Sequence, residues 1–365
     1  MNHLRIVLCV VGAAYVAVGA SSILAQVEPE PLWAYAWSTQ PKPGDKAIPQ
    51  AAPTRNLRPN EDPQEQTKPR KVEGSSATYS LVDVRDGHNV IDWFPGDHPA
   101  MTPIIKNGPA SLGESARGCG SCHLPNGKGR PENAPPAGQP VGYTIQTLRD
   151  FRDGKRVSAD PRKPNTPTMT ALARAMTEEE MRQSAEYFAA MPWTPWIRVV
   201  EADMIPEMHL EQGNMHINAH SGKTEPLAGR IVEAPEDEYQ ANMVRNIRSG
   251  WVAYVPVGSL ARGKALVTTG GSTVVDGRIV PGKTSGCATC HGTDLMGSGD
   301  FPGIAGRSPS YMMRQLWDLK QGTRNGLWAE LMKPVVANLT ADDMTAIVAY
   351  LASITPPKPA PTSSQ

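Results

Sequence analysis

Phenylalanine is scarce in this chain: 4 of 365 residues, alongside 9 Tyr and 8 Trp. A core built mainly on aromatic side chains is thereby excluded, and its filling must come from aliphatic residues or from something other than side chains. An excess of either charge is also missing. Lys plus Arg number 36 and so do Asp plus Glu, so no global field draws the chain to nucleic acid or to an anionic membrane surface. No Gly-X-Y period accompanies the 33 Gly and 35 Pro, which excludes a collagen-like rod. No long uncharged run follows residue 25, which excludes a polytopic membrane protein. The apolar fraction of 39% enters the ordinary globular range once Gly is added, and the length suits two to three domains.

The one long apolar run, Ile6 to Ala25 behind Arg5, reads as an export signal cleaved after Ala25. The competing reading is an uncleaved anchor, because a run of this length just spans a bilayer. Cys9 lies inside it and leaves with a cleaved signal. From Gln26 to about Ser80 the chain is Pro-rich with mixed charge, an extended or wrapping arm whose start Trp33, Tyr35 and Trp37 pin to a domain, the competing reading being an exposed aromatic patch for a partner. Val82 to Pro99 reads as a strand or loop packed near the first of the motifs that follow.

Four cysteines remain, in two copies of one pattern. Cys119-Gly120-Ser121-Cys122-His123 and Cys287-Ala288-Thr289-Cys290-His291 are both C-x-x-C-H, the signature of c-type haem attachment. Two thiols three residues apart on a helical turn can reach the vinyl groups on one porphyrin edge, and the adjacent imidazole can swing beneath the iron. Three readings compete. Zinc wants two C-x-x-C pairs within about 15–20 residues, and these lie 168 apart. A thioredoxin-like pair wants a βαβ context that the Gly/Pro-rich flanks do not supply. Structural disulfides suit an exported chain but do not need a His in the same place twice.

At the same offset of 168, Ala137-Gly138 falls on Ala305-Gly306, Tyr143 on Tyr311, Leu148 on Leu316, Asp150 on Asp318, Gly154 on Gly322 and Arg156 on Arg324. YTIQTLRDFRDGKR and YMMRQLWDLKQGTR are then equivalent amphipathic helices that stop at Gly-x-Arg. Tyr143 and Tyr311 open them and are assigned to cofactor binding. Each copy ends in a helix with a capping box, Thr177 with Glu180 and Thr340 with Asp343. Eight residues before each capping Thr stands a methionine, Met169 and Met332, and this shared position marks the pair as distal ligands. Met176 is the rival of Met169; it is assigned to the core because Leu339 replaces it in the other copy. A His/Met pair gives a relatively high potential.

Residues 110–192 and 258–355 resemble, in these motifs, the tandem di-haem class I cytochromes c, most closely the two-domain type-four group. The resemblance implies an all-α fold of two small cytochrome domains with long Pro/Gly-rich loops, and two covalently bound haem c groups. It implies Cys119 and Cys122 as thioether anchors with His123 and Met169 as axial ligands, and Cys287, Cys290, His291 and Met332 in the same roles. The activity implied is not catalysis but periplasmic relay of single electrons between a donor and an acceptor, such as a dehydrogenase and a terminal oxidase. No nucleic acid is implied, and membrane contact only through an uncleaved signal or a partner complex. The alternative is a di-haem enzyme of peroxidase type with one open iron.

This chain departs from the group in its spacing. Trp193 to Gly258 separates the two copies where the group has a short linker, which puts close packing of the domains in question; Thr268 to Gly286 is a second insertion. NGPASLGESARG before Cys119 predicts a short or irregular opening helix. Residues 201–250 carry nine acidic and four basic residues, an acidic element that docks across the haem domains or steers a cationic partner. Its His209, His216 and His220, among Met204, Met208 and Met215, are ligand types for a soft metal such as copper, but without tight spacing or a second ligand set they read as structural or solvent-facing. The organisation expected is a signal (1–25), an arm (26–95), a first cytochrome domain (96–195), an acidic insert (196–250), a second cytochrome domain (251–355) and a Pro-rich tail (356–365).

Overall fold

In the computed structural model, residues 29–47, 57–58, 60–211 and 215–356 are described. The expected signal 1–25 with Cys9, and all of the expected tail but Pro356, lie outside them. Local signals set the last helix of each repeat. The Thr177 and Thr340 hydroxyls accept the amide three residues on, and Glu180 and Asp343 accept the threonine amides in return, so both capping boxes are complete. The first repeat comprises α1 (Cys119–His123), α2 (Val141–Arg152), α3 (Asn165–Ala175) and the boxed α4 (Glu178–Ala189). The second comprises α5 (Ser259–Thr269), α6 (Ala288–His291), α7 (Pro309–Lys320), α8 (Ala329–Val336) and the boxed α9 (Ala341–Ser353).

The backbone repeats as closely as the sequence. Left-handed φ recurs at the same offset: +61° at Leu124 and +84° at Gly292, +66° at Gly127 and +61° at Leu295, +66° at both Gly138 and Gly306. The opening helices differ. α5 crosses α9 at Gly263, where an added Cβ would overlap the Ala346 carbonyl oxygen. In the first repeat this place is taken by one turn, Pro103–Lys106, and a 3₁₀ segment, Ala110–Ser115, with Ile104 and Ile105 buried.

The all-α expectation needs correction outside the repeats. β1 (Ile197–Glu201), β2 (Val232–Pro235) and β3 (Trp251–Val255) form a sheet of order β1-β3-β2, and antiparallel pairs join 204–206 to 224–226, 208–211 to 215–218 and 273–275 to 278–280. Val and Ile in IRVVE and WVAYV suit a pleated, half-buried surface, which local β propensity favours over helix. β1 and β3 are parallel, with Ile197 beside Trp251, so the insertion returns to within one strand spacing of where it began. It is a closed excursion rather than a spacer.

The two repeats therefore pack directly against each other, about a pseudo-twofold axis. Val157 N–H donates to Thr323 O (3.0 Å) and Asn325 N–H to Lys155 O (2.7 Å), a pair of bonds that the 168-residue offset interchanges. Arg156 Nη2 reaches Tyr311 Oη at 3.4 Å while Arg324 Nη2 donates to Tyr143 Oη at 3.1 Å. Gln139 Nε2 donates to Gly303 O (3.0 Å), and its equivalent Arg307 donates to Pro135 O (2.5 Å) and Ala137 O (3.1 Å) while stacking on Trp193.

The insertion and the arm close round this pair. Glu233 of β2 accepts from Ser308 Oγ and the Ser310 amide at the start of α7, and Arg245 Nη1 donates to Ser121 O inside the first C-x-x-C-H loop. The acidic element thus docks across both repeats. Tyr35, fully buried, belongs to the core of the second repeat, so the arm's aromatic start is pinned as its composition suggests. Within 82–99 the chain is a helical turn and loop rather than a strand, and Trp93 and Phe94 pack with Leu124, the residue after His123.

Gly263→Ala, which in an open helix would stabilise, should here destabilise by about 1–3 kcal/mol through overpacking. Arg307→Ala leaves Pro135 O and Ala137 O without their donor and should cost roughly 2–5 kcal/mol. Denaturant unfolding followed by circular dichroism checks both values.

Candidate haem sites

Each C-x-x-C-H segment is too short to hold itself in place and is fixed by its flanks. Cys287 N–H donates to Val267 O at the end of α5, and Gly118 N–H, before Cys119, donates to Gly87 O of the arm. The histidines then turn inward in the same way. His123 Nδ1 lies 2.7 Å from Ala134 O, and His291 Nδ1 lies 2.7 Å from Pro302 O. A carbonyl only accepts, so Nδ1 carries the hydrogen in both rings and Nε2 keeps its lone pair. Burial pushes both imidazoles below their ordinary pKa, so they stay neutral near pH 7. A neutral ring, oriented through Nδ1 with Nε2 free, is the arrangement a metal-ligating histidine needs.

Two cavities receive these groups. Cys119, Cys122, His123 and Met169 line the first, and Cys287, Cys290, His291 and Met332 the second, so every ligand-type residue singled out in the sequence is brought to one or the other. The two methionines stand on equivalent helices, α3 and α8. Met176 and Leu339 also reach the cavity walls, so contact with the cavity does not by itself separate Met169 from its rival. Tyr143 and Tyr311 each line both cavities, as do Gln139, Thr147 and Gln315; the cavities share this wall at the pseudo-twofold contact.

None of the four cysteines is in a disulfide. Burial pushes the Cys119 thiol up to about 12 and the Cys287 thiol to about 11, because the charged thiolate is penalised away from water. Among the described residues no cluster of three or more His, Cys, Asp and Glu could hold a metal ion, which leaves His209, His216 and His220 without a shared site.

Buried cations were not anticipated from the sequence. Buried Arg156, Lys163 and Arg314 line the first cavity, and buried Arg307 with half-buried Arg324 the second. They suit a ligand that is apolar over most of its surface and carries carboxylates at one edge, as haem does. Their only signal was the pairing of Arg156 with Arg324 in the repeat, which reads equally as a helix stop. Burial raises the Tyr143 and Tyr311 phenols; the Arg324 and Arg156 guanidiniums pull Tyr143 back below its ordinary value while Tyr311 stays above.

The cytochrome c family model matches residues 112–192 and 260–355. Cytochrome c-554(548) of Halomonas halodenitrificans is 35% identical over 72 residues, which cover 20% of this chain and 87% of that protein. The chain belongs to the cytochrome c family. The tandem match identifies it as a di-haem class I cytochrome with two covalently bound haem c groups. Two longer relatives cover both repeats of this cytochrome. The thiosulfate dehydrogenase electron acceptor of Stutzerimonas stutzeri is 24% identical over 243 residues, 66% of this chain and 80% of that protein. Cytochrome c4 of Pseudomonas aeruginosa is 24% identical over 249 residues, 67% of this chain and 88% of that protein. The Stutzerimonas stutzeri relative is thus named as the electron acceptor of an enzyme, and a second relative, of Thiomonas intermedia, carries the same name.

Replacing Cys119 and Cys122 together by Ala should reduce the covalently bound haem from two groups per chain to one. Mass spectrometry of the denatured protein reads the loss directly.

Proposed function

We propose that this cytochrome relays single electrons between protein partners, with both irons His/Met-ligated. Cys119 and Cys122 anchor one haem, whose axial ligands are His123 and Met169. Cys287 and Cys290 anchor the other, with His291 and Met332 as axial ligands. The single observation that carries this reading is the matched pair of histidines, each hydrogen-bonded through Nδ1 to the same backbone position in its repeat, facing a cavity that also holds the in-register methionine. Met169 is preferred to Met176 because only its counterpart keeps sulfur.

Haem supplies one-electron exchange at iron. The chain supplies the rest. Its histidines stay neutral, its guanidiniums would meet negative charge at the cavity edge, and Tyr143, Tyr311 and Gln315 form a wall common to both sites. A thioether ligand favours ferrous iron and holds the potential high. Were His123 with Met169 and His291 with Met332 all to bind iron, no coordination position would remain for substrate, as the carrier reading requires.

We place the protein in the periplasm on the reading of 1–25 as an export signal, with 26–95 as arm, 96–195 and 251–355 as cytochrome domains, 196–250 as insert and 356–365 as tail. The donor in this reading is a dehydrogenase, the partner class named for the Stutzerimonas stutzeri relative.

The oxidised holoprotein should show thioether-to-iron charge-transfer absorbance from both haems. Met169→Ala and Met332→Ala should each remove half of it and admit cyanide rapidly at one iron. Absorbance from only one haem in the unaltered protein, with cyanide binding at the other, would replace the carrier reading by the open-iron one.

A further inference from the structure

The two repeats are not electrostatically equal, and the difference comes from the arm. Asp150 and Asp318 are equivalent residues, each on the wall of the other repeat's cavity: Asp318 of α7 lines the first, Asp150 of α2 the second. Asp150 is partly exposed and accepts from Gln146 on its own helix at 2.8 Å. Asp318 is 7% exposed and accepts from Tyr35 Oη at 3.0 Å and the Ala159 amide at 2.8 Å. Its carboxylate thus has two neutral donors and, among the described residues, no ion pair.

The groups around it come from four places. The arm contributes Glu30 and Tyr35, the loop after α2 contributes Arg156, Asp160, Arg162 and Lys163, the segment before α2 contributes Glu132, and α7 contributes Arg314. Several of these charges are already engaged. Arg162 pairs with Asp160 and Arg130 with Glu132, both at 2.6 Å, while Arg314 donates to Ala34 O and Pro131 O and Arg156 to Gln315. Glu30 Oε1 is buried without a hydrogen-bond partner.

We propose that Asp318, enclosed by Tyr35 and Glu30 of the arm, is a proton-binding site that makes electron entry at the first haem, but not at the second, a proton-coupled step. The inference rests on the di-haem relay reading above. One electron from the donor reduces the first iron from ferric to ferrous, and one proton from solvent binds a carboxylate oxygen of Asp318; reoxidation releases both. The coupling is Coulombic. Added negative charge in a cavity walled by the carboxylate raises that carboxylate's proton affinity, and the buried setting screens the interaction little. The resting state is already poised for it, because burial pushes Asp318 up to about 6 and Glu30 up to about 7.

The test is spectroelectrochemical titration of the full-length holoprotein between pH 5 and 8. A protonated Asp318 favours the reduced state, so the first haem's midpoint should fall as pH rises, approaching about 59 mV per unit for one proton per electron. The second midpoint should stay level. Asp318→Asn should flatten the sloping wave, and Tyr35→Phe, which removes a donor to the charged form, should move the onset of the slope to higher pH. Proton uptake followed with a pH dye should accompany the first wave alone. Equal slopes at both haems, no slope at either, or a slope that survives Asp318→Asn in a folded protein would overturn the proposal. If that variant does not fold, an unshifted onset in Tyr35→Phe overturns it instead. Fewer than two redox waves at any pH would overturn the di-haem reading itself, and is distinguished by appearing before pH is varied.

Discussion

The architecture depends on one reciprocal contact: the segments after α2 and α7 lie antiparallel, and each donates an amide to the other through equivalent residues. Because the bonds are interchanged by the repeat, they fix the second unit relative to the first about a twofold axis without further specification. Everything polar at the interface follows from that placement. Arg156 and Arg324 reach across to Tyr311 and Tyr143, Gln139 and Arg307 reach across to each other's loop carbonyls, and each cavity takes part of its wall from the opposite repeat. Two independent haem pockets become a single unit with a common partition.

The scarcity of phenylalanine fits this arrangement. Helices such as α2, with Leu148 its only fully buried residue, turn much of their apolar face toward a cavity rather than toward other side chains. A large apolar cofactor completes such a core, while the Gly/Pro-rich loops carry the backbone carbonyls that orient His123 and His291.

What could be read beforehand was local or repeated. The C-x-x-C-H motifs, the capping boxes at Thr177 and Thr340, the paired helices and the two methionines all declare themselves within a few residues or through the 168-residue offset. The sheet was missed because β1 and β3 pair across some fifty residues of intervening chain, and nothing in IRVVE names WVAYV as its neighbour. The packing of the two repeats was questioned because linker length was taken as distance, whereas parallel pairing cancels it. The Tyr35 contact to Asp318 spans 283 residues, and the sequence marks Asp318 only as the repeat equivalent of Asp150.

The two left-handed positions beside each attachment motif place side chains differently in the two repeats. After His123 the residue is Leu124 and three residues later Gly127; after His291 the order is Gly292 and then Leu295. The backbone path is held constant while the one leucine moves from one bend to the next. In the first repeat that leucine meets Trp93 and Phe94 from the arm, and in the second it joins the unit's own core. A duplicated scaffold has thus been given two different outer skins at a point next to the C-x-x-C-H histidine, while the backbone bends themselves stay in register.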